Sequence, residues 1–221
     1  MNAIPLVKWV SYAKNARQIV FVAMMAALGN VMFIISQTIF KTTQIALDLS
    51  HIGTLIAAVY GGPWIGLLTG LIVGIGPGLY FGYLGGSLGL LGVIGLPLGK
   101  ALTGLTVGYL TRFLKSACVK YPSWKVTFAT LVGYLPECIF TLFYFEGLVV
   151  ILLPEVAANF IMWFGSMHAL VLSILAKAWV EMILLGVFMG ALVGNNGFND
   201  FVNKVFTNQS LLQKLETNKN S

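Results

Sequence analysis

Charge is what this sequence has least of. Asp, Glu, Lys and Arg make up 9% of its 221 residues and hydrophobic residues 58%, where an average soluble domain has roughly 25% and 45–50%. A chain of this composition cannot cover itself with water-compatible groups. That excludes a soluble globular domain and leaves lipid as the solvent. Cysteine is nearly absent as well: Cys118 and Cys138 fall at an expected inner helix end and in mid-helix, positions unsuited to a disulfide framework, so reduced thiols are expected. The two histidines, His51 and His168, form no His-Glu-x-x-His pair, which excludes a metalloprotease site. Gly99-Lys100 is not a phosphate-binding loop, because Ile94 stands where the first glycine is needed and Ala101 follows the lysine. Gly74-x-Gly76-x-Gly78 does not complete a dinucleotide fingerprint. No catalytic set, metal site or cofactor is expected, and no ATPase is visible, so any active transport must borrow its energy.

What the sequence does have is long apolar runs. Its length accommodates about six spans of ~20 residues, and spans are expected over 17–36, 49–60, 63–79, 96–114, 126–152 and 160–193. The second is short for a span. Residues 1–16 suit a short interfacial segment, and the first run reads as an uncleaved span. Gly61-Gly62-Pro63 marks a turn whose proline opens the third helix, and a glycine-rich connection is expected over 82–95. Past Gly194-Asn195-Asn196-Gly197 the tail repeats apolar residues at helical spacing (Phe198, Phe201, Val202, Val205, Phe206, then Leu211, Leu212 and Leu215), an amphipathic surface helix.

Cation placement sets the orientation. With the N-terminus inside, cytoplasmic segments hold ten of the thirteen cations: Lys8, Lys14, Arg17, Arg112, Lys115, Lys120, Lys125, Lys204, Lys214 and Lys219. Outer loops hold only Lys41, while Lys100 and Lys177 lie in spans. The net charge of +6 thus reports topology rather than a nucleic-acid partner. The expected fold is an all-α membrane protein of six transmembrane helices with both termini cytoplasmic, residues 1–197 forming one domain and 198–221 an amphipathic tail.

Ionisable groups within spans are expensive and each needs a reason. On the last span Asn159, Trp163, Ser166, Ser173, Lys177 and Glu181 share one face, and on the fifth Thr130, Gly133, Glu137, Thr141 and Tyr144 do. The two spans form an antiparallel hairpin. Counted from its tip, Glu137 matches Lys177 in depth and Glu146 matches His168. A structural ion pair Glu137–Lys177 is expected, with Glu181 one turn away, and Glu146 and His168 are either a pair or ligand contacts. Lys100, Tyr80, Tyr83, Tyr144 and Trp163 join them at an outer level, a mixture that suits a flat heteroaromatic ligand with polar edges. Glycines at 62, 66, 70, 74 and 78 make a close-packing stripe. Ala23 and Ala27 make a second one, for internal packing or for a partner subunit.

Leu47-Asp48-Leu49-Ser50, a short helix, Gly61-Gly62-Pro63-Trp64-Ile65-Gly66 and the glycine-spaced helix that follows resemble the substrate-binding S components of energy-coupling factor (ECF) vitamin transporters. The resemblance is clearest over 16–115. It implies a prokaryotic plasma-membrane subunit that binds a vitamin or related micronutrient under loops corresponding to 37–50, 80–95 and 153–165, which adds Asp48 and Asn159 to the candidates. It also implies docking through Ala23 and Ala27 on a membrane T component driven by two cytoplasmic ATPases, with cargo released by toppling of the subunit. Riboflavin, other vitamins and a queuosine precursor are all allowed. Two other readings stay open: a self-contained small transporter or channel, which predicts an internal repeat that is not found, and an intramembrane enzyme, which only Glu146 and His168 could begin to equip.

Overall fold

The first apolar run has no proline or glycine before Gly29 to interrupt it, and it folds as one long helix, α1 (Leu6–Ile39). The structure is a computed structural model and describes residues 6–39, 41–42, 45–46, 48–116 and 123–206. The residues from Leu6 onward join α1 instead of forming a separate interfacial segment. A two-residue hairpin follows, β1 (Lys41–Thr42) paired antiparallel with β2 (Ile45–Ala46). The chain then turns through 48–50 into α2 (His51–Ile56), which continues as a widened π turn, Ala57–Gly61. Gly62 takes φ 90, open to glycine, and Pro63 starts α3 (Pro63–Leu79), which ends in a second π turn, Tyr80–Leu84.

The expected glycine-rich connection is mostly helix. Only 85–88 links α3 to α4 (Gly89–Ser116). The glycines are there for contact: a Cβ at Gly92 would meet the Gly82 backbone, and one at Gly95 would meet the Tyr144 ring. The fourth-residue stripe of α3 serves the same purpose. A Cβ at Gly66, Gly70, Gly74 or Gly78 would run into the α4 backbone at Gly104, Lys100, Pro97 or Gly92. The stripe is therefore packing within the chain, and it brings the Lys100 turn of α4 directly onto α3.

The fifth span is not one straight helix. Pro136 has no N–H to donate, and the rod breaks at Tyr134 between α5 (Ser123–Gly133) and α6 (Leu135–Phe143). A third π turn, Tyr144–Val149, leads to α7 (Val150–Leu152). The expected sixth helix is also divided. α8 (Pro154–Phe164) stops at Gly165, whose φ of 81 is left-handed, and Ser166 then caps α9 (Met167–Gly194) by accepting the Ala169 amide at 3.0 Å. The tail forms α10 (Asn196–Phe206), while Leu211, Leu212 and Leu215 lie outside the described residues.

Among the described residues five helices are long and apolar enough to cross a membrane, and α2 with its π turn is a shorter apolar helix, His51–Gly61. Contacts sort the helix ends. At one end the Tyr60 hydroxyl donates to Asn199 Oδ1 at 2.7 Å, Arg112 lies over Gly62, and Ser123 lies beside Gly194. At the other, Phe33 meets the Tyr80 and Phe81 rings edge-on at 5.7 and 6.2 Å. Arg17, Arg112 and Lys125 belong to the first end.

Candidate functional site

The irregular segment 48–50 dips into the bundle before α2 begins, with Ser50 fully buried. Non-helical backbone at such depth is tolerated only where protein groups satisfy it or where it lines a cavity. Here both hold. Asp48 Oδ1 accepts the Ser50 amide at 2.9 Å, Asp48 Oδ2 accepts the Lys100 ammonium at 2.8 Å, and the Asp48 amide donates to Glu181 Oε1. Lys177, one turn before Glu181 on α9, reaches the same carboxylate at 3.2 Å. The break at Tyr134 carries Glu137 inward, where Thr103 of α4 donates to it and His51 Nε2 lies 3.6 Å away.

Asp48, His51, Lys100, Glu137, Lys177 and Glu181 floor a cavity of about 540 Å³, within the usual range for small-molecule sites. Its walls are aromatic. Tyr80 and Phe81 come from the second π turn, Tyr144 and Phe145 from the third, and Phe160, Trp163 and Phe164 from α8. π turns re-aim side chains that an unbroken α-helix would direct elsewhere, and they concentrate at functional sites. The lining also includes Gly85, Gly86 and Ser87, all exposed, and Trp163, which is 64% exposed. The mouth is therefore between the 85–88 connection and α8.

Of the residues singled out from the sequence, Asp48, Tyr80, Lys100, Tyr144 and Trp163 line this cavity, and Tyr83 and Asn159 are exposed outside it. Glu146 and His168 do pair, Nδ1 to Oε1 at 2.7 Å, but on an exposed face away from the lining. The expected Glu137–Lys177 pair does not form. Lys177 has a carboxylate one turn along its own helix, which the hairpin depth count leaves out, and Glu137 is claimed by α4 and α2. The supposedly separate deep set of Glu137, Lys177 and Glu181 thus belongs to the same cavity as Asp48 and Lys100. Lys100 does not open α4 but lies more than two turns inside it and is 3% exposed.

His51 and Gln37 also line the cavity, and neither stood out in the sequence. His51 follows directly on the Asp48-Leu49-Ser50 turn, so the turn itself is the signal that would have found it. Ala23 and Ala27 are exposed, while the neighbouring Ala26 and Gly29 face inward, Gly29 against Ser50 and Val73. Gly85-Gly86-Ser87-Leu88-Gly89 spells the spacing of a hydrolase elbow, but it joins two helices at the cavity mouth and lacks the strand-to-helix setting that chemistry needs. Among the described residues no cluster could hold a metal ion.

Fold and site together define a multi-pass helical membrane protein that encloses a ligand-sized cavity opening at one end. The family model for "ECF transporter, substrate-specific component" matches residues 17–195, and the chain belongs to that family. It is therefore a substrate-binding subunit of a membrane transporter, with a small molecule as its substrate. No match is found among curated proteins or among solved structures.

Proposed function

We propose that this chain captures a vitamin-like micronutrient in the cavity floored by Asp48, Lys100, Glu137, Lys177 and Glu181 and delivers it inward by docking on a membrane T component driven by two ATPases. The observation that carries this reading is the cavity itself, aromatic above and polar below, with its mouth at the helix ends away from Arg17, Arg112 and Lys125. Cations favour the cytoplasmic side, so in a prokaryotic plasma membrane the mouth would face outward. His51–Gly61 would then serve as the sixth span, completed by the 48–50 turn, with both termini inside. Mass spectrometry of small molecules extracted from the purified protein, followed by uptake of the molecule found, tests the proposal. Uptake should require the T component, the ATPases and ATP. Accumulation by this chain alone would establish a self-contained transporter instead.

A further inference from the structure

The charges in the cavity do not balance. Among the described residues three carboxylates line it, Asp48, Glu137 and Glu181, against two ammonium groups, Lys100 and Lys177. Both ammonium groups are already matched: Lys100 to Asp48 at 2.8 Å and Lys177 to Glu181 at 3.2 Å. Among the described residues that leaves Glu137 with the Thr103 hydroxyl and, at 3.6 Å, the His51 imidazole, too far for a hydrogen bond. A largely buried carboxylate with no matching charge among the described residues is costly in a bundle surrounded by lipid. A ligand cation would remove that cost. Around the same space, His51 Nδ1, the Tyr144 hydroxyl and Gln37 Nε2 are buried without hydrogen-bond partners among the described residues. His51 is 6% and Tyr144 4% exposed. Three unpartnered polar atoms and one unmatched carboxylate therefore surround a space walled by rings.

Resting on the capture reading above, we infer that the cavity selects a flat aromatic molecule bearing one positive charge on a nitrogen-rich edge, seated with that edge against Glu137. The ring would lie among Phe140, Tyr144 and Trp163, all part of the lining. Aromatic faces attract a delocalised cation more than a neutral ring of the same shape. The charged edge would form N–H···O bonds to Glu137, which are stronger than neutral ones. The leftover donors and acceptors of His51, Tyr144 and Gln37 would take the remaining ring heteroatoms. An anionic ligand would meet an excess of carboxylate.

The test uses three probes with one ring system and different charge: 2-naphthamidine as the cation, 2-naphthamide as the neutral form and 2-naphthoate as the anion. Each is titrated calorimetrically into the purified full-length chain. The cation should bind at least about tenfold more tightly than the neutral amide, a difference of ~1.4 kcal/mol, and the anion most weakly. Glu137→Gln keeps the shape and the Thr103 contact, so it should bring cation and amide to within about threefold of each other. Glu137→Asp should keep the preference. If Glu137→Gln does not fold, the wild-type series and Glu137→Asp still decide. Equal binding of all three probes, lost together in Trp163→Ala, would overturn the charge selection and leave the capture reading intact. A preference for the anion, or a preference that survives in Glu137→Gln, overturns it as well. If none of the probes binds, the inference falls, and the molecule extracted from the purified protein decides separately whether capture occurs.

Discussion

Asp48 shows how a single residue can be needed by three parts of the chain at once. Its two oxygens hold Ser50 and Lys100 and its amide holds Glu181, so one side chain and its own backbone close the turn, α4 and α9 around a point. Lys100→Met would leave the Asp48 carboxylate buried and unpaired. That should cost roughly 3–5 kcal/mol, the usual penalty for breaking one side of a buried pair, read as a fall in melting temperature in detergent. Adding Asp48→Asn to the same chain should recover most of the loss. Glu137→Gln should raise the melting temperature, because it removes a charge that no lysine among the described residues matches. The sequence marks these residues as important because charges in apolar runs are rare. Their partners were harder to read. Lys177 meets Glu181 one turn along its own helix, while Glu137 across the hairpin is engaged by Thr103 of α4.

At the scale of elements, the α3–α4 pair is the rigid body of the site, and glycine makes it. Gly74→Ala would push a methyl group into the Pro97 backbone, and the strain of overpacking is about 1–3 kcal/mol. Gly147→Ala is the matching control, since nothing lies within 4 Å of its added Cβ. It should be neutral or stabilise by about 0.5–1 kcal/mol. Thermal unfolding of the two variants side by side checks both. The all-helical class and the fourth-residue stripe were legible because apolar length and small-residue period are strong local signals. Three features were not legible: the widened turns at Ala57–Gly61, Tyr80–Leu84 and Tyr144–Val149, the helical start of α4 at Gly89, and the break at Gly165. Glycine reads locally as a loop former. Here its neighbours across the helix pair, which no local window contains, make it a contact residue. Pro136 did carry a visible warning of the Tyr134 break.

For the whole molecule, α1 presents two different faces. Met25 and Gly29 take the close approach of Gly53 from α2, and Ala26 is 2% exposed, whereas Ala23 and Ala27 point away from the bundle. Ala27→Leu should therefore leave folding and affinity for the captured molecule unchanged. In membranes containing a T component it should abolish uptake and co-purification, measured by transport and by pull-down. Loss of affinity in that variant would instead assign Ala27 to the bundle interior. The knot at Asp48 also bears on how the chain is made. Its three strands of contact come from residues 48, 100 and 181, far apart in order of synthesis. Before α9 is in place, the Asp48 amide has no Glu181 carboxylate to donate to. The floor of the cavity is therefore complete only once α9 has packed against the 48–50 turn.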